Sequence, residues 1–131
     1  MKKRLLAVFT AIIAVLSLVA CRKNEEKKIV VNEQYSVRYV FVEKPKVGST
    51  TLKINVFNQN NEKTSDLTVL VSYDMPSMRG HHTFKTSPIT INKNRDYLLP
   101  VHFAMPGDWE IVLTFQQNGK SIHTEKILLT L

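Results

Sequence analysis

The stretch Met75-Pro76-Ser77-Met78-Arg79-Gly80-His81-His82 places two thioethers and two imidazoles within eight residues. Thioether sulfur is neutral and soft, so it selects Cu(I) over hard cations, and imidazole accepts Cu(I) or Cu(II). Pro76 stiffens the chain between the two sulfurs and lowers the entropy lost on binding. His81 and His82 are adjacent and point opposite ways on an extended backbone, so one of them joins Met75 and Met78. Met105 and His102 are further donors, carried by a second segment. Without a thiolate this set would hold copper only modestly, which suits exchange more than storage. The same residues also have a packing reading. Methionine fills irregular gaps and pads aromatic rings, so Met75 and Met105 could close one end of a core while the histidines sit in solvent. Arg79 puts a fixed positive charge beside the donors and counts against a cation there.

The elements that must position these residues are strands. Leu52, Ile54 and Val56 alternate with polar neighbours, as do Leu67, Val69, Val71 and Tyr73. Tyr97, Leu99, Val101 and Phe103 form a third series, and Trp109, Ile111, Leu113 and Phe115 a fourth. Period two with β-branched and aromatic residues predicts half-buried strands. Tyr35 to Val42 and Ile122 to Leu129 predict a first and a last strand, and Pro88 to Ile91 a short one. Asn58-Gln59-Asn60-Asn61 reads as a polar loop, Met105-Pro106-Gly107-Asp108 as a type II turn, and Asn118-Gly119 as a tight hairpin turn. About seven short antiparallel strands predict an all-β sandwich. Pro100 has no N–H, so its strand is expected at an edge or bulged there. By parity His102 faces away from the core, while Met75 and Met105 continue inward series. The two methionine segments are therefore expected to meet at one end of the sandwich, unless a bulge shifts the register.

The first twenty residues read as a targeting segment. Met1-Lys2-Lys3-Arg4 is basic, and Leu5 to Ala20 is apolar apart from Thr10 and Ser17. That run is short for a spanning helix and suits a signal-peptide core. Leu18-Val19-Ala20-Cys21 resembles a bacterial lipobox, which implies cleavage before Cys21 and lipid on its sulfur and amine. Cys21 is the only cysteine, so no intrachain disulfide forms, and a lipidated sulfur is neither ligand nor nucleophile. Residues 21–28 then form a lipidated, charged tether and residues 29–131 one domain. The expected address is the outer face of a membrane, facing the periplasm or the cell exterior. Arg22 in place of an aspartate points to the outer membrane in a two-membrane cell. Without Lys2, Lys3 and Arg4 the chain keeps 15 Lys and Arg against 11 Asp and Glu, a net charge of +4. That excess predicts no nucleic-acid partner.

Catalysis has little support. Ser77 lies near Asp74, His81 and His82, but residues this close on one loop do not make a triad, and no G-x-S-x-G surrounds Ser77. No phosphate loop occurs. The chain is expected not to be an enzyme. Trp109 begins an inward series and reads as a core anchor, and His123 is remote from the other donors.

Tyr73-Asp74-Met75-Pro76-Ser77-Met78, a histidine soon after, then Tyr97 and Phe103-Ala104-Met105-Pro106-Gly107-Asp108-Trp109-Glu110-Ile111, resemble the YtkA-like/FixH-like domain from about Thr50 to Leu131. The resemblance implies an immunoglobulin-like β-sandwich outside the cytoplasmic membrane, with lipoproteins among its members and links to copper handling or cytochrome oxidase assembly. Its copper links add to the metal reading of Met75, Met78 and His81, while Met105, His82 and the outward-facing His102 stay as further candidate donors read from the residues themselves. The chain departs from the family where Met-Gly-His becomes Met78-Arg79-Gly80-His81, and where a Gly shortly before the Tyr gives way to Asn94-Arg95-Asp96-Tyr97. Two functions follow as expectations. One is a membrane-anchored module that binds or transfers Cu(I). The other is a non-metal interaction module that contacts another envelope protein.

Overall fold

The computed structural model describes residues 24–79 and 84–131. Its strands are β1 (Lys27–Val30), β2 (Ser36–Phe41), β3 (Gly48–Phe57), β4 (Lys63–Thr64), β5 (Thr68–Asp74), β6 (Phe84–Pro88), β7 (Thr90–Ile91), β8 (Tyr97–Phe103), β9 (Asp108–Gln117) and β10 (Lys120–Thr130). A 3-10 turn, Pro76–Met78, follows β5. One sheet runs β1-β2-β3-β8-β7, with β4 on β3, and the other runs β10-β9-β5-β6. All pairings are antiparallel. The path β2-β3-β8-β7 opposite β10-β9-β5 is the A-B-E-D and G-F-C arrangement of an immunoglobulin domain, with β6 added beside β5 as a C′ strand is. The expected all-β, immunoglobulin-like sandwich is therefore the observed fold.

Alternation decides which side chains meet. Leu52, Ile54, Val56, Tyr97, Leu99, Val101 and Phe103 of the first sheet are buried against Val69, Val71, Trp109, Ile111, Leu113 and Phe115 of the second. A register slip of one residue would turn each series outward, so burial on one face locks the pairing. Tyr97 adds a polar tie between the sheets: its hydroxyl donates to the Leu67 carbonyl at 2.6 Å. Burial pushes the Tyr97 phenol up to about 12, so it remains a donor at any physiological pH.

The turns follow their residues. Asn118 and Gly119 both take positive φ, 51° and 77°, as the mirror-image hairpin turn requires. Pro100 sits where its missing N–H costs nothing. It lies opposite Thr51, whose carbonyl is turned the other way to accept from Val42 N. Pro100 therefore faces the side of β8 that β7 leaves open, since β7 pairs only with Tyr97 and Leu98.

Pro88 to Ile91 is not one strand. Ile89 is buried and its N–H donates to the Val69 carbonyl, while Pro88 ends β6 in one sheet and Thr90 begins β7 in the other. This is the crossover between sheets, and a short apolar run carries no mark of it. β1 begins at Lys27, inside the segment expected as tether, and Asn24 Nδ2 already donates to the Phe41 and Val42 carbonyls.

Asp96 organises the end of the sandwich opposite the methionine turns. Its carboxylate accepts from Lys63 Nζ, from Asn55 Nδ2 at 2.6 Å and from Asn92 Nδ2 at 2.9 Å. The Lys63 ammonium, aided by the two amides, holds this carboxyl at about 2, below its ordinary 3.8. A depressed folded-state value contributes stability above the unfolded value that is lost as pH falls toward the folded one. Urea midpoints are expected to drop between about pH 4 and about pH 2 and to drop less steeply in Asp96→Asn. Equal acid slopes in the two proteins would remove Asp96 as the source.

Candidate functional site

β5 ends at Asp74, whose Oδ1 accepts from the Met75 backbone N–H at 2.8 Å. Pro76 then opens the 3-10 turn, closed by Met78 N–H donating to the Met75 carbonyl at 2.9 Å. Proline suits this position because its fixed φ fits and its missing donor has no use there. The turn separates the two methionines that sequence placed together. Met75 continues the inward parity of β5 and is 3% exposed, within the core. Met78 is 37% exposed. Met105 is partly buried and packs on the edge of the core, just past β8.

The two methionine segments do meet. A Cβ built on Gly107 would lie 2.8 Å from Met75 Cε, so the Met75 side chain reaches under the Met105–Asp108 turn. Gly107 has φ +135°, which only glycine adopts readily, and its backbone pairs with that of Leu131 in both directions at 2.9 and 3.0 Å. Trp109 Nε1 donates to the Met105 carbonyl at 3.0 Å. The Trp109 ring stands edge-on to Phe103 with centroids 5.3 Å apart, so one indole both fills the core and fixes the turn.

His102 faces away, as its parity predicts. It is exposed on the outer face of its sheet, with Nδ1 hydrogen-bonded to Ser49 Oγ at 3.0 Å. The sheet separates it from Met75. His81, His82 and Cys21 lie outside the described residues. His123 is held on β10 beside Phe115 and Glu125. Among the described residues no three His, Cys, Asp or Glu side chains gather to hold a metal. The donors on this end are thioethers, whose softness fits Cu(I). Of these, Met75 is enclosed, so Met78 and Met105 are the ones with exposed surface.

Two features were not anticipated from the sequence. Arg79 reaches Glu110 Oε1 at 3.6 Å, and Lys126 reaches Glu110 Oε2 at 3.5 Å. Glu110 thus faces two cations and offsets part of the charge that Arg79 brings to the turn. A groove of about 360 Å³ opens between the 3-10 turn and the end of β10, lined by Pro76, Asp108, Trp109, Leu128, Leu129 and Thr130. Leu128 is 70% exposed at its rim. Glu110 and Leu128 stand opposite each other on β9 and β10, a register that spacing along the chain does not reveal.

A sequence model of a family described as YtkA-like matches residues 29–114. The match runs from Ile29, within β1, to Thr114, within β9, and leaves β10 outside. No curated protein matches the chain, and no solved structure does. No helix of the described residues is long and apolar enough to cross a membrane.

Proposed function

The chain belongs to the YtkA-like family, and from that premise we propose that it is an extracytoplasmic lipoprotein, held by lipid on Cys21, whose sandwich contacts a partner protein of the envelope. Its FixH-like resemblance fits that role. The contact is made by the end that carries the methionine turns, and it needs neither catalysis nor a resident metal. The observation that carries this reading is the burial of Met75: at 3% exposure its sulfur belongs to the core, while Met78, Leu128 and the groove beside Trp109 form an accessible, partly apolar surface.

Copper transfer is the second reading, supported by the approach of the two methionine turns around Gly107. In this form it uses Met78 and Met105, with a histidine that follows the turn, and exchanges Cu(I) with modest affinity. An anaerobic Cu(I) titration against a competing chelator separates the two readings. The interaction module is expected not to compete, and Met78→Leu/Met105→Leu is expected to behave as the parent does. Competition by the parent that the double variant loses establishes copper transfer and removes the metal-free reading.

A further inference from the structure

The strand registers place the start of the described chain near the methionine end. Lys27 lies opposite Tyr39, and Asn24 is tied to the carbonyls of Phe41 and Val42. Traced back toward its start, the chain therefore passes alongside the last residues of β2 and points to the end that holds loop 42–47, the Met105–Asp108 turn and Leu131. Cys21 is three residues before Asn24, so at most about 11 Å of chain separates them. A lipid on Cys21 can reach a bilayer only a short distance from this end.

The surface there suits a bilayer. Loop 42–47 reads Val42-Glu43-Lys44-Pro45-Lys46-Val47, with Val42 59% and Val47 47% exposed. Lys44 and Lys46 are exposed on either side of Pro45, and lysine stems lie along apolar surface while their ammonium groups reach polar headgroups. An apolar groove of about 190 Å³ joins this loop to β10, bounded by Asn24, Phe41, Pro45, Leu128 and Leu129. Val30 and Ile91 are also exposed, but they lie toward the opposite end.

We propose that the sandwich rests on the lipid bilayer by this end, with Val42 and Val47 in the lipid interface and the Asn118-Gly119 hairpin turned away from the membrane. The proposal rests on the lipoprotein reading of Cys21. It confines any partner of the methionine end to proteins that reach the bilayer surface.

The test uses the full chain, processed in cells and reconstituted in vesicles of phosphatidylcholine and phosphatidylglycerol that contain nitroxide-labelled lipid. A bimane is attached to Val47→Cys or to Lys120→Cys, both exposed positions. β9 spans ten residues between the two ends, about 30 Å, so quenching at residue 47 is expected to exceed that at residue 120 by about threefold or more. The unsubstituted chain is treated with maleimide in parallel, because lipid on Cys21 blocks labelling. A chain blocked at Cys21 but quenched equally at both positions, or more at residue 120, overturns the orientation and leaves the anchor standing. A chain that labels at Cys21 and stays out of the membrane fraction overturns the lipoprotein reading, and the orientation with it.

Discussion

Trp109→Ala is expected to lower the stability of the domain by about 3–5 kcal/mol, read as a large fall in the urea midpoint without loss of soluble expression at low temperature. The indole is 1% exposed and lies against Phe103 at 5.3 Å and Tyr73 at 6.3 Å between ring centroids. Removing it leaves a cavity that close-packed neighbours fill only in part. It also removes the N–H that holds the Met105 carbonyl, so the turn that carries Gly107 loses its fixed point. For a domain with total stability of about 5–15 kcal/mol, this is a large share. Trp109→Phe keeps a ring in place and loses the hydrogen bond, so a smaller loss of about 1–2 kcal/mol is expected. An alanine variant within about 1 kcal/mol of the parent would contradict the packing described.

Met75→Ala is expected to cost about 2–5 kcal/mol, and Met75→Leu less than about 1.5 kcal/mol because volume and apolarity are kept. Met78→Ala, at an exposed position, is expected to stay within about 0.5 kcal/mol of the parent. Gly107→Ala combines two costs, a φ of +135° and a Cβ placed 2.8 Å from Met75 Cε. Only the second is relieved when Met75 is shortened, so a double-mutant cycle should give a coupling of about 0.5–3 kcal/mol between the two positions. Chemical unfolding of the parent, Met75→Ala, Gly107→Ala and the double variant measures this directly. If Met75→Ala unfolds like the parent and instead abolishes Cu(I) competition, Met75 is a ligand and its place in the core is secondary.

These two positions mark how far the sequence could be read. Trp109 was legible as a core anchor because Trp109, Ile111, Leu113 and Phe115 alternate without interruption, and all four are buried. The outward face of His102 and the inward face of Met75 follow from the same parity, since a strand has only two faces. Asn118-Gly119 was legible as a hairpin turn and Gly107 as a site of positive φ, but its +135° is a bend and not the type II turn expected there, which wants about +80° at that position. The crossover at Ile89 was not legible. Pro88 and Thr90 have similar local surroundings in sequence, and only the distant partners of β6 and β7 assign them to different sheets. Nor did Asp96 stand out: its partners Asn55 and Lys63 are 41 and 33 residues away.

The sequence by itself determined the long strands β2, β3, β5, β8, β9 and β10 and the faces most of them bury, but not β1, β4, β6 or β7, because alternation acts between neighbours in the chain and needs several residues to show. It also determined that Met75 and Met105 point inward. Tertiary structure alone decided that Met75 is enclosed beneath Gly107 while Met78, three residues later, is exposed. It alone brought Glu110 to Arg79 and Lys126, and set the chain entry beside loop 42–47. Such pairings depend on how two twisted sheets stack and which strands lie side by side, so they join residues whose spacing in the chain carries no record of their contact.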